Sequence, residues 1–370
     1  MRETDSAPRF PVRTRSPPTP AMAIVAAIVR TSHARVEWGM QILGLSGADV
    51  RELLPMARCI ELMAESLAAL ARGDATVPLR TLMWLPDRTG LLGMMPAQYG
   101  PASVMGIKVV SVMPGNHGTG FYAHQGAVLL FETRHGQPLA LADASAITAI
   151  RTAAVSGVAT RLLARDDAHD LAILGSGTQA ATHLAAMRAV RPIDRVRVWS
   201  RTSEHARAFA EREAARHGIA IDVASSAREA VDGADIICTT TSAREPVLAG
   251  AWIAEGTHIN AVGSSVRTAR ELDSEAVRRA RLFVDRRESA LNEAGDFLLA
   301  RAEGAVGDDH IVAELGELLV GSARGRRSRD EITLFESLGL GVEDVVAAWF
   351  TYTQALEQGR GTPVPLGERE

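Results

Sequence analysis

The sequence predicts an α/β protein in which a doubly wound parallel sheet follows a run of mixed strands. Three observations carry this. From residue 145 onward, strand-length and helix-length patterns alternate: helix 145–165, strand 171–174, helix 178–190, strand 195–199, helix 203–217, strand 220–223, helix 226–232 and strand 235–239. A glycine-rich turn, "LAILGSGTQAATHLAAM", sits between the first of these strands and its helix. Ahead of them, segments 79–84, 90–95, 104–113 and 126–131 are β-like and separated only by Gly/Pro/Asn turns such as "PDRTG".

Taken in order, "QILGL" reads as a short strand, and "SGAD" breaks it before a helix over 48–72. In that helix Leu53, Met56, Ile60, Met63 and Leu67 recur at helical spacing. Strand-like runs return at 257–262 and 282–284, after which helices dominate. The closing "QGRGTPVPLGERE" has the composition of a frayed tail. Residues 1–39, rich in Pro, Arg, Ser and Thr, read as a disordered extension or an over-long translation start before a natural beginning at Met40.

At 370 residues, two domains are the prior. Apolar residues at 46 % and charged residues at 23 % suit a globular chain. A net charge of −4 gives no global field for nucleic acid or an anionic membrane, and no apolar run reads as a bilayer span. The cluster "RGRR" (324–327) reads as a solvated loop. Two cysteines, Cys59 and Cys238, form neither a disulfide framework nor a ligand spacing, so free thiols in the cytoplasm are expected and no metal is implied.

The glycine fingerprint falls at Gly175, Gly177 and Ala180. The first glycine permits the tight turn and the second lets backbone approach a pyrophosphate. The small third residue allows helix to pack on strand, and the helix N-terminus supplies amides. The next strand ends in "VRVWSRT". A carboxylate there would bind a ribose 2′-hydroxyl; Ser200, Arg201 and Thr202 instead suit a 2′-phosphate, so NADP(H) is expected over NAD(H). "CTTTS" (238–242) and "HINAVGSS" (258–265) end later strands, placing Thr241 and the backbone from Asn260 to Gly263 at the nicotinamide end.

Lys108 is the only lysine among 40 basic residues. It lies in "VMGIKVV", an apolar run where a cation is costly unless paired or used. An ammonium, unlike a guanidinium, has a pKa that burial can lower. Arg80 in "VPLRT" and Arg151 in "DASAITAIRTAA" are similarly set. Together they predict a pocket for a small carboxylate; the bland alternative pairs each with a structural acid such as Asp143.

Nine motifs occurring in one order then carry a resemblance: "GLLGMMPA", "GIKVVSVMPGN", "HQGAVLLFE", "LADASAITAIRTAA", "GSGTQA", "GTHINAVGS", "RELD", "EAGD" and "DEITLFESLGL". From Met40 to Thr362 the chain resembles the ornithine cyclodeaminase/mu-crystallin family, which includes certain alanine dehydrogenases and ketimine reductases. The resemblance implies a Rossmann-type doubly wound domain (151–324) inserted in a mixed α+β substrate and dimerisation domain (40–150 and 325–362), a flexible tail at 363–370, and a homodimer. It implies that Arg80 and Lys108 hold a substrate carboxylate, with Met95 beside them. Arg151 would lie where substrate meets nicotinamide, and Thr152 would contact the dinucleotide. Thr178, Gln179, Ser200, Thr241 and Ile259 to Val262 would line the dinucleotide.

Two departures choose the branch. Cyclodeaminases carry an aspartate where this chain has Ser265, and a glutamate where it has Gly93. Without them, the proton handling needed to oxidise an amine and expel ammonia is missing. The implied activity is NAD(P)H-dependent reduction of a small cyclic ketimine or imino acid, of the pyrroline- or piperideine-2-carboxylate type. Lys108 would assist or protonate, Ser265 would donate a hydrogen bond, and Glu293 and His124 would be secondary acids. The alternatives are a cyclodeaminase-like lyase and a crystallin-like binding protein with little catalysis.

Overall fold

The structure, a computed structural model, describes residues 41–116 and 119–366. The extension expected over 1–39 lies outside the described residues.

The first sheet collects β1 (Gln41–Leu45), β2 (Ala75–Thr76), β3 (Thr81–Trp84), β4 (Leu91–Tyr99), β5 (Val104–Val112), β6 (His124–Glu132) and β7 (Pro138–Asp143). Between β1 and β2 run helices α1 (Gly47–Leu53) and α2 (Met56–Ala71). The sequence pattern ran these together as 48–72. They are two because Leu54 leaves helical geometry and Pro55, lacking an N–H, opens the second. Ser46 and Asp49 close a reciprocal capping box at the start of α1.

The second sheet follows α3 (Ala144–Leu163), whose first turn is capped by Asp143 through Ala146 N at 2.7 Å. Its elements are β8 (Asp170–Leu174), α4 (Thr178–Val190), β9 (Arg195–Trp199), α5 (Ser203–His217), β10 (Asp222–Val223), α6 (Ala227–Val231), β11 (Ile236–Thr239) and β12 (His258–Ala261). Then come α7 (Ser274–Arg279), β13 (Arg281–Val284), α8 (Arg287–Glu293), α9 (Gly295–Ala302), β14 (Ile311–Glu314), α10 (Leu315–Leu319) and β15 (Thr333–Glu336). The strand order is β10-β9-β8-β11-β12-β15-β13-β14, and every pair is parallel. Leu171 and Ile173 pack on one side with α4 and α5, while Ala172 and Leu174 pack on the other with α6, α7 and α9. The sheet is thus doubly wound, and its order reverses beside β8, where the glycine turn lies.

Four expectations need correction. β15 pairs with β12 and β13, so the second sheet reaches past the boundary set at 324. The stretch read as a tail forms β16 (Thr362–Pro365), antiparallel to β1 at the edge of the first sheet, after α11 (Gly341–Gln358). Its alternate threonine, valine and prolines fit an edge strand. Finally, α3 is long and apolar enough to match a bilayer span by composition, but 78 % of that stretch is buried inside the protein. It is a core helix, packed between α2, α4 and α11. Similarly, Arg326 of the "RGRR" cluster is no solvated charge: it donates to the carbonyl of Leu163 at 2.6 Å and to Thr333 Oγ1 at 3.0 Å.

In the first sheet, Met95 and Lys108 are register partners on β4 and β5 and turn inward toward α11. The opposite face carries the half-buried Met94, Ile107, Val109, Leu129 and Phe131 and the exposed Leu141.

Candidate active site

The site is built where α3 and α11 cross between the sheets. Lys108 is 4 % exposed, and its Nζ lies 2.9 Å from Asp344 Oδ2 and 3.4 Å from Thr148 Oγ1. Arg151, one turn after Thr148 on α3, is equally buried. Its Nε meets Asp344 Oδ1 at 2.9 Å and its Nη1 meets Glu343 Oε2 at 2.7 Å. Arg80 places Nε 2.7 Å from Glu293 Oε2 and donates through Nη2 to the carbonyl of Leu338 at 2.8 Å. Each of the three cations therefore has an acidic partner, as the bland reading held. The partners are Glu293, Glu343 and Asp344, however, and not Asp143, which caps α3.

These pairs leave donors over. Among the described residues, Arg80 Nη1 and Arg151 Nη2 make no hydrogen bond, and the third Lys108 hydrogen is unspent. Burial pulls the Lys108 ammonium down to about 8, against the opposing pull of Asp344. Burial pushes the Glu343 carboxyl up to about 7 despite Arg151. A cleft of about 10 Å³, room for about one water, lies among Val77, Arg80, Met95, Ser289 and Gly339. The larger concavity, about 310 Å³ around Arg207 and Glu211, sits by edge strand β10 and has no convergent set of buried ionisable groups.

The glycine turn has the shape its sequence demands. Gly175 has φ +123°, and a Cβ there would lie 2.7 Å from the Thr240 carbonyl oxygen. A Cβ at Gly177, the N-cap of α4, would meet only open space, so a phosphate can approach its backbone. Ala180 is fully buried against the sheet. Thr178 opens α4, and Gln179 Nε2 donates to the Thr148 carbonyl at 3.5 Å, tying this turn to the helix that carries Arg151. Thr152, the next α3 residue, is buried. Ser200 Oγ lies 3.1 Å from Ser176 Oγ, Arg201 is exposed without a partner among the described residues, and Thr202 leaves its hydroxyl out of the α5 cap. These residues fit a nicotinamide dinucleotide.

At the nicotinamide end the outcome is mixed. Thr241 Oγ1 is spent on Glu271 Oε1 at 2.7 Å. Asn260 is fully buried and donates to Thr160 Oγ1 at 3.0 Å, so its side chain belongs to the packing of α3, not to a ligand. Val262 and Gly263 remain part-exposed, with Gly263 N held by Glu271 Oε2 at 2.6 Å. Ser265 is part-exposed and makes no hydrogen bond among the described residues. A side chain at Gly93 would touch Val110 and Leu82, an apolar setting. His124 is exposed at the start of β6, and Met95, expected beside the substrate carboxylate, is buried.

The sequence reading missed a buried acid network. Ser264 Oγ lies 2.6 Å from Asp296 Oδ2 and 2.7 Å from Glu336 Oε1. One hydroxyl hydrogen cannot serve both, so one carboxyl must carry a proton. Asp296 Oδ1 also accepts the amides of Glu271 and Leu272, each at 2.8 Å, which favours its ionised form. The proton therefore belongs on Glu336, whose carboxyl burial and Asp296 push well up. The signal was available: acids inside the apolar runs "TLFESLGL" and "GVEDVV" are as conspicuous as Lys108 in its strand.

Comparison with known proteins agrees with this geometry. Residues 43–359 match the family described as ornithine cyclodeaminase/mu-crystallin. The ketimine reductase mu-crystallin of Mus musculus is 42 % identical over 280 residues, 76 % of this chain and 85 % of that protein. The Δ1-pyrroline-2-carboxylate reductase of Thermococcus litoralis, solved with NADH and L-proline, superposes with a TM-score of 0.85 at 43 % identity, covering 87 % of this chain and 99 % of that one. An archaeal alanine dehydrogenase dimer with bound NAD gives 0.83 at 33 % identity, covering 88 % and 99 %.

Proposed function

Because the chain belongs to the ornithine cyclodeaminase/mu-crystallin family, we propose that it reduces a small cyclic ketimine acid, of the pyrroline- or piperideine-2-carboxylate type, to the amino acid. The observation that carries this reading is the buried Lys108–Asp344–Arg151 array with Arg80 nearby, which leaves donors free for one carboxylate. The mammalian and archaeal reductases that the chain resembles act on ketimines and on pyrroline-2-carboxylate.

A nicotinamide dinucleotide, held by the Gly175–Gly177 turn and the Val262–Gly263 backbone, would supply hydride. Ser200, Arg201 and Thr202 favour NADP(H) over NAD(H), the cofactor named for the solved neighbours. This chain's residues do the rest. Arg80 Nη1 and Arg151 Nη2 bind and orient the carboxylate. Lys108, with a pKa of about 8, is mostly protonated at neutral pH and gives its proton to the imine nitrogen as the C=N bond is reduced. Asp344, held by Arg151, steadies the ammonium until transfer. Glu293, half-buried beside Arg80, stands where it can counter an iminium charge.

The apolar outer face of β4–β7 is covered by a second copy of the chain, as the dimer of the alanine dehydrogenase neighbour supports. Light scattering at micromolar concentration should give a dimer, and Leu129→Glu a monomer.

The decisive assay follows NADPH and NADH oxidation separately with cyclic imino acids and with 2-oxo acids plus amines. NADPH oxidation with a cyclic imino acid is expected. Ammonia release from ornithine without net cofactor turnover would sink the reading.

A further inference from the structure

We propose that Asp285 is the positioning residue for both arginines of the substrate site, acting through a single backbone turn. Asp285 follows β13, is 1 % exposed, and makes no ion pair among the described residues. Its Oδ2 accepts the amides of Leu338 at 2.8 Å and Gly339 at 2.6 Å, and its Oδ1 accepts Arg286 N at 2.8 Å. A buried carboxylate without a cation on it is costly, and here all of its hydrogen bonding goes to holding backbone.

The Leu338–Gly339 turn so held touches both guanidinium groups. The Leu338 carbonyl receives Arg80 Nη2 at 2.8 Å. Gly339 has φ +79°, and a Cβ there would fall 2.3 Å from Arg151 Nη1 and 2.8 Å from Nη2. The turn thus anchors one arginine and forms a wall against the other, and the negative charge of Asp285 acts on both. An asparagine would replace one acceptor oxygen with an N–H group, facing either the paired amides or Arg286 N. No other described side chain accepts a hydrogen bond from the Leu338 or Gly339 amide.

This inference rests on the reading that Arg80 and Arg151 hold the substrate carboxylate. Two variants approach the turn from opposite ends: Asp285→Asn frees it, and Gly339→Ala drives a methyl into Arg151. For each, imino-acid KM and kcat, L-proline binding by calorimetry and NADPH binding by fluorescence are measured on the full chain. The expected result in both is a rise of about tenfold or more in KM and in the L-proline Kd, as one misplaced charged hydrogen bond implies. The NADPH Kd should stay within about twofold and kcat should fall less than KM rises, which also shows that the variants are folded. Unchanged KM and L-proline affinity in either folded variant overturns the proposal, as does parallel loss of NADPH binding. If Asp285→Asn does not fold, Gly339→Ala alone decides. If the wild-type protein binds L-proline but reduces no imino acid, the reductase reading fails, and the L-proline arm still judges Asp285. If it does neither, both fall.

Discussion

Lys108 and Arg151 divide one carboxylate between them: Asp344 gives Oδ2 to the ammonium and Oδ1 to the guanidinium, each at 2.9 Å. The arrangement is asymmetric in its consequences. Loss of Lys108 leaves Asp344 still paired, whereas loss of the Asp344 charge leaves Lys108 without a counter-charge and Arg151 with Glu343 alone.

Asp344→Asn should therefore cost about 3–5 kcal/mol of stability, as removal of one partner of a buried pair does. Lys108→Met should cost clearly less while abolishing turnover. Urea denaturation of both variants, with NADPH oxidation on the same samples, tests the order; equal losses would show that Asp344 is not the shared partner.

The depressed pKa of Lys108 sets a pH limit on activity. With the folded value near 8, the protonated donor is present below that pH and lost above it. The rate of imine reduction should fall with a one-proton limb centred near pH 8. Lys108→Arg should lose most activity, and its residual rate should lack that limb, because a guanidinium does not titrate there. A limb that persists unchanged in the arginine variant assigns it elsewhere.

The buried acids act on stability with the opposite sign to ordinary surface carboxylates. Glu343 is pushed up to about 7 and Glu336 well above its ordinary value, both chiefly by burial. Between pH 5 and 7 the folded chain holds protons that the unfolded chain has released. Stability from these groups is thus present at low pH and lost as pH rises toward and through about 7. Glu336→Gln, an isostere of the protonated acid, should keep the Tm at pH 7 within about 2 °C, a change below about 1 kcal/mol. Glu336→Ala should lower it by more, since Ser264 loses a partner. Calorimetric scans from pH 5 to 8 read both effects.

Cofactor choice is expected to turn on Arg201. Arg201→Ala should raise the NADPH KM by about tenfold, the worth of one charge-assisted phosphate contact, and leave the NADH KM nearly unchanged. Equal effects on both cofactors would remove the argument for a 2′-phosphate site at the end of β9.

Much of this was legible in the residues. Gly175, Gly177 and Ala180 announced the turn because their roles are local: a positive φ, an open approach and a small contact. Lys108 and Arg151 stood out because charge in an apolar run needs a reason. What stayed hidden was long-range pairing. The partners of Arg151 lie on α11, separated from it by 192 and 193 residues, and no local pattern links them. β16 was misread for the same cause, since only β1, at the other end of the described chain, makes "TPVP" a strand.

The position of α11 also sets the order of assembly. Lys108 and Arg151 are synthesised long before Glu343 and Asp344, and a nascent chain that stops short of residue 341 holds two cations destined for burial with no acid to meet them. The second sheet can gather its strands as they leave the ribosome, but the charged centre closes only when the last long helix docks. Premature stop codons late in the reading frame should thus yield chains that fail to mature, rather than enzymes merely lacking a tail.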